Sequence, residues 1–299
     1  MKNILLVCCI LSFFSCKVLQ KNTADLNKVT WIKGAVNCEN NTDPLIQIKK
    51  YNSNTYILRQ NKCINYEAPF MFLFLGDKKA LLMDTGATEE ESKFPLEKTV
   101  NQIIKDWEKA TQNKIELIVA HTHNHDDHTT GDIQFKNRPN TTIVGLESDK
   151  VAAFFKLNNW PSQNSEIDLG NRVLDIIPIP GHEKSSIAIY DHQTNILLSG
   201  DSFYPGRLYI RDWKAFTSSI QRLVTFTYSH KISYILGNHI EMSTARGIDY
   251  PTGTTYQPNE HALPLTVHQL KLLNQALKNI GDMPARKTLD DVIIYPVKG

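Results

Sequence analysis

The chain has 299 residues, 41% of them hydrophobic, and its charges nearly balance at a formal +2. That is enough apolar material for a full core in one large domain or two small ones, which excludes a disordered chain. There is no long block of like charge and no internal repeat, so nucleic-acid binding, adhesion to an anionic membrane surface and a solenoid are excluded too; the expected partner is a small molecule, with oligomeric state open.

The first residues read as an address. Lys2 supplies a positive end, "ILLVCCILSFF" (4–14) is an apolar run too short for a mature membrane span, and Ser15-Cys16 follows. This resembles a bacterial lipoprotein signal, with Phe13 where such signals usually have Leu, and it implies a lipid on Cys16 and attachment to the envelope by that anchor alone. An ordinary cleaved signal is the alternative, and both readings export the protein. Residues 17–44 read as a polar tether and extension, and 45–299 as the folded domain. Of the five cysteines, Cys38 and Cys63 remain after processing, either as a disulfide or as two thiols.

Beyond the tether, "NTYILR" (54–59), "FMFLFLG" (70–76) and "KALLMD" (79–84) read as strands, and the second is apolar throughout, as a strand buried on both faces would be. A helix over 96–110 shows a stripe of Val100, Ile103, Ile104 and Trp107. Strands at 114–120 and 141–145, a helix at 148–157, strands at 172–180, 185–190 and 195–200, a helix at 212–226 and a strand at 231–237 follow. A helix at 265–280 and a strand at 291–297 complete the series. This order predicts sheets covered by helices.

Polar residues fall at the ends of these strands. Asp84 ends "LLMD", the stretch "HTHNHDDHTTGD" (121–132) follows the strand ending at Ala120, and His182, Asp201 and His239 close "IPIPGH", "LLSGD" and "YILGNH". Side chains at neighbouring strand ends can converge on one sheet edge, where rigid backbone holds them. Imidazoles and carboxylates together suit zinc or another divalent ion.

The 121–132 stretch resembles the His-x-His-x-Asp-His signature of metallo-β-lactamase-fold hydrolases. A register starting at His121 misplaces the final His and Asp, whereas one starting at His123 matches throughout. The resemblance, running from about Asn54 to His239, implies an αββα sandwich of two mixed β-sheets flanked by helices. It also implies two zinc ions: His123, His125 and His182 on the first; Asp127, His128 and His239 on the second; Asp201 bridging. Asp127 and Asp201 would serve the chemistry directly, and Asp84 would orient ligands from behind. The implied reaction is attack on an ester, thioester, lactone or amide by water that the two ions activate.

Departures from named branches narrow this. β-Lactamases usually have Cys or Ser where Asp201 stands, leaving β-lactam hydrolysis as an alternative. Glyoxalase II enzymes share the seven ligands, but their C-terminal glutathione-binding pattern is not evident. Flavodiiron-type oxidoreductases have Glu where His125 stands; iron-dependent oxidoreductase or sulfur dioxygenase activity is a further alternative, as is a non-catalytic metal-binding lipoprotein. Tyr204, Arg207 and Tyr209 in "SFYPGRLYIRDW" (202–213), with Tyr250 and Tyr256 in the long segment after His239, are the candidate substrate-binding residues, Arg207 as a carboxylate clamp. His121 is expected to be solvated, His192 to sit in a hairpin turn, and His230, His261 and His268 to be structural or superficial.

Overall fold

A computed structural model describes residues 23–297. The proposed signal, residues 1–16, and the start of the tether lie outside them. In chain order the elements are β1 (Ile46–Asn52), β2 (Thr55–Gln60), β3 (Phe70–Leu75), β4 (Lys79–Met83), α1 (Leu96–Thr111), β5 (Glu116–Ala120) and α2 (Asp126–Thr129). Then come β6 (Thr141–Ile143), α3 (Ser148–Phe155), β7 (Ser165–Asp168), β8 (Val173–Pro178), β9 (Ile187–Asp191), β10 (Ile196–Gly200) and β11 (Arg207–Ile210). The series closes with α4 (Trp213–Phe226), β12 (Tyr234–Gly237), β13 (Pro264–Leu265), α5 (Val267–Ile280), β14 (Lys287–Thr288) and β15 (Ile293–Pro296).

Two six-stranded sheets result, ordered β1-β2-β3-β4-β5-β6 and β13-β12-β10-β9-β8-β7. Both are mixed: β1 to β4 pair antiparallel and β4-β5-β6 parallel, while β7 to β10 pair antiparallel, β10-β12 parallel and β12-β13 antiparallel. The period-two geometry of a strand explains how they stack. Phe70, Phe72 and Phe74 of β3 enter a core shared with Ile187, Ile189, Ile196 and Leu198 of the other sheet. The alternate residues Met71, Leu73 and Leu75 face the opposite way and pack with Val100, Ile103, Ile104 and Trp107 of α1. On the second sheet's outer face, Ile177, Ala188 and Leu197 pack against Phe216 and Ile220 of α4 and Leu270 and Leu273 of α5. Three apolar interfaces thus separate four layers, helix, sheet, sheet, helix, in the αββα order. The outer helices are well started: Asp212 caps α4 by accepting from Ala215 N, and Thr266 with Gln269 forms a capping box on α5.

Two sequence expectations are revised. Residues 23–44 are not a free tether: Leu26 and Trp31 are buried in the inter-sheet core, and Cys38 is joined to Cys63 with a Cα–Cα distance of 5.2 Å. The 202–213 loop contains a strand, β11, which pairs parallel with β15 in a small third sheet. No helix among the described residues is long and apolar enough to cross a membrane.

Candidate metal centre

The ends of β4, β5, β8, β10 and β12 meet at one edge of the sandwich. Past Ala120 the chain turns through His123 and His125 into the single-turn helix α2, which presents Asp127 and His128; loops after β8, β10 and β12 add His182, Asp201 and His239. These seven form two groups, His123–His125–His182 and Asp127–His128–Asp201–His239, with donor atoms within 4.8 Å of one another inside each group. Asp201 joins them. Its Oδ2 lies 4.0 Å from His123, 3.7 Å from His182, 3.6 Å from His128 and 3.4 Å from His239, measured to Nε2 in each case. Gly200 lets this corner close, with φ +53° and only 3.0 Å between a notional Cβ and Thr122 Cβ.

At two of these histidines the other ring nitrogen donates outward to a main-chain carbonyl. His182 Nδ1 donates to Tyr209 O at 2.7 Å and His239 Nδ1 to Glu67 O at 3.0 Å, which turns each Nε2 inward. His123 Nδ1 is 3.1 Å from Thr122 Oγ1, and His128 Nδ1 is 3.6 Å from Asp84 Oδ2. Asp84 is fully buried at φ +69°. It accepts from Thr122 N at 2.8 Å and from Asn238 Nδ2 at 2.6 Å, tying together the turns that carry His123 and His239.

The model of the metallo-beta-lactamase superfamily matches residues 67–227, more than half of the chain and most of this edge. The chain belongs to the metallo-beta-lactamase superfamily. Among curated relatives it is similar to acyl-coenzyme A thioesterase MBLAC2 of Gallus gallus, 33% identical over 82 residues, covering 25% of this chain and 29% of that one. It is also similar to the hydroxyacylglutathione hydrolase of Ectopseudomonas mendocina (strain ymp), 30% identical over 93 residues, covering 28% and 32%. These matches span about a third or less of the relatives' length. Among solved structures, a metallo-beta-lactamase from Pontibacter korlensis superposes with TM-score 0.51 at 18% identity, covering 78% of this chain and 99% of that one, a likeness of fold.

The donors of this superfamily member fit divalent cations. Burial, reinforced by His128 and His182, pushes His123 well below the usual imidazole range, and burial takes His182 down to about 4, so both stay neutral, as ligands must be. Burial opposes ionisation of Asp201 and Asp127, but His239 and His128 outweigh it and hold both carboxyls well below their ordinary range. Asp201 Oδ1 is buried with no hydrogen-bond partner, the kind of atom that a cation satisfies. Asp127 Oδ2 is 3.1 Å from both His128 Nε2 and His239 Nε2. Against burial, Asp127 and Asp201 push His128 and His239 well above the usual imidazole range, so the two carboxylates draw positive charge to this point, supplied by ring protons that a bound cation would replace.

Beside the donors opens a cavity of about 280 Å³, walled further by Glu67, Tyr204, Tyr209, Arg211, Glu241 and Val297. Of the expected substrate residues, Tyr204 and Tyr209 line it. Arg207 does not: its guanidinium is held by Glu241 at 2.8 Å, Asp249 at 2.5 Å and Tyr209 Oη at 2.9 Å, so it braces the wall and is not a free clamp. Tyr250 and Tyr256 are likewise outside the lining; Tyr250 Oη accepts from Asn259 N, and Tyr256 forms a backbone bridge with Gly34. His121 is also revised. It is buried, not solvated, with Nε2 2.8 Å from Asp132 Oδ1, and Thr85 Oγ1 donates to the same carboxylate oxygen at 2.9 Å. His192 is in the hairpin turn, 2.9 Å from Asp175, and His230 stacks on Phe226. Sequence reasoning missed Asn238, Glu67 and Arg211. Asn238 had a signal, a polar residue directly before a strand-end histidine, whereas a main-chain acceptor such as Glu67 O has none.

Proposed function

We propose that this chain is a dinuclear zinc hydrolase that cleaves an ester, thioester, lactone or amide bond of a small molecule. The observation that carries the reading is Asp201 Oδ2, one carboxylate oxygen set between imidazoles of both donor groups. His123, His125 and His182 would hold one ion, Asp127, His128 and His239 the other, and Asp201 both. When bound, the ions supply Lewis acidity, lowering the pKa of water toward neutrality and polarising the scissile carbonyl. Asp127, ionised and lining the cavity, would help hold its ion and is placed to orient the attacking water by accepting a hydrogen bond from it. Tyr204, Tyr209 and Val297 wall the substrate in, and the small cavity suits a compact acyl group. The thioesterase relative favours thioesters within this range. The apolar run ahead of Cys16 supports export and a lipid anchor on that cysteine.

Natively purified protein should contain about two equivalents of zinc, and a panel of thioesters, lactones and nitrocefin should reveal turnover. One iron without zinc would overturn the reading in favour of an iron oxidoreductase. Turnover of nitrocefin alone would make the protein a β-lactamase, and full metal with no turnover of any panel member would favour a binding lipoprotein.

A further inference from the structure

The turn Asn61–Ala68, between β2 and β3, touches the metal centre at one residue: Glu67 O receives the His239 Nδ1 proton at 3.0 Å, and Glu67 lines the cavity. The turn closes on itself, with Ile64 N and Asn65 N donating to Asn61 O and Ala68 N to Asn65 O. Its outer half, residues 63–67, has few ties to the rest of the protein. Apart from His239, its polar or covalent ties among the described residues are the Cys38–Cys63 disulfide, Asn65 Nδ2 donating to Ala87 O at 3.3 Å, and Lys62 Nζ, itself 3.8 Å from Glu260, donating to Tyr66 O at 3.3 Å.

Cys38 follows a segment wedged against the loop that carries Thr255, Tyr256 and Gln257. Gly34 bridges to Tyr256, Gln257 N donates to Lys33 O at 2.9 Å, and Thr255 Oγ1 donates to Ala35 O at 3.1 Å. The fit is tight: with φ +71°, a Cβ at Gly34 would fall 2.0 Å from Thr255 O and 2.9 Å from Lys62 Cβ. The disulfide therefore joins the 61–68 turn to a segment that cannot easily shift.

We infer that the Cys38–Cys63 disulfide is a positioning element for the second metal site, holding the 61–68 turn so that the Glu67 carbonyl keeps the His239 ring turned with Nε2 inward. The inference rests on the dinuclear reading. A ligating imidazole keeps its tautomer and ring angle through the acceptor on its other nitrogen, and losing such a partner costs about 10–100-fold in metal affinity. The disulfide is the covalent part of what keeps this acceptor in place. At the first site the matching acceptor is Tyr209 O, which belongs to β11 and is held by β15, away from the disulfide. The two sites should thus respond differently to reduction.

The test is competition for zinc between the metal-depleted protein and a chromophoric chelator, using oxidised wild type, wild type reduced by a phosphine, and the double variant Cys38→Ser/Cys63→Ser. Oxidised protein should bind two equivalents. Reduction or substitution should weaken one of them about 10–100-fold and leave the other near its original affinity, with far-UV circular dichroism unchanged. Equal weakening of both equivalents, or of neither, overturns the inference; a single equivalent on oxidised wild type instead overturns the dinuclear reading. If the double variant fails to fold, zinc-loaded wild type is challenged with chelator with and without the phosphine. One equivalent should then leave about 10-fold faster under reduction, and two unchanged or equally accelerated release rates would count against the disulfide.

Discussion

His121 and His123 sit two residues apart on one turn, yet His121 faces Asp132 while His123 faces the donor cluster. His123→Ala should remove a metal ligand and with it turnover, read as loss of one zinc equivalent by elemental analysis. His121→Ala should keep the metal but lose about 1–3 kcal/mol of stability, because it leaves a largely buried carboxylate with fewer partners. A urea titration with an unshifted midpoint, or zinc loss in the His121 variant, would contradict this division. The H-x-H-x-D-H spacing was enough to separate the two histidines, since only a register starting at His123 puts Asp127 and His128 at its end. That His121 is buried was not legible, because its partner Asp132 follows a reversal of direction that spacing does not encode.

Among the elements, β11 shows best how position outranks residue type. Its Leu208 and Ile210 enter the core beneath α4, while Arg207 and Tyr209 turn toward the metal edge, and Tyr209 O fixes His182. Arg207 ties two loops through Glu241 and Asp249, and Tyr204 Oη donates to Arg207 O at 2.6 Å. Burial pushes the Glu241 carboxyl above its ordinary range, and Arg207 pulls against that shift. Arg207→Ala should therefore cost about 3–5 kcal/mol by leaving a buried carboxylate unpaired, and the loss should appear as a lower denaturant midpoint. Wild-type stability with a selective loss of turnover on carboxylate-bearing substrates would restore Arg207 as a clamp. A four-residue strand flanked by Pro205-Gly206 and Asp212 looks like loop in sequence, since its pairing partner β15 is more than eighty residues away.

At the scale of the whole molecule, the four-layer stack places five strand ends along one edge, and the N-terminal segment runs toward that edge from the far end of the sheets, where Ala24 N donates to Tyr51 O, to Trp31 against Phe70 and the Cys38–Cys63 link. This bears on how the domain would hang from a membrane. If Cys16 carries the lipid, few residues separate the anchor from the packed segment, so the domain would sit close to the bilayer. Cys16→Ser should move the protein from the membrane fraction to soluble or unprocessed material, because acyl chains supply the anchoring energy. Unchanged fractionation, with no lipid mass on the wild type, would leave only a cleaved signal.

The sequence by itself determined that sheets are covered by helices and that candidate donors lie at strand ends, because both are local, while the αββα layer order was what the resemblance implied. The unbroken apolar run "FMFLFL" marks a strand buried on both faces, a helical stripe over 96–110 marks one buried helix face, and strand-end histidines and aspartates are visible one strand at a time. Only the tertiary structure decided which partner each polar group takes. Arg207 had open water or two carboxylates to choose from, Cys38 and Cys63 had a bond or two thiols, and residues 23–44 had solvent or a core; each outcome depends on segments far apart in the chain. Burial makes those choices decisive, since a charge or hydrogen-bonding group removed from water must find its partner within the fold.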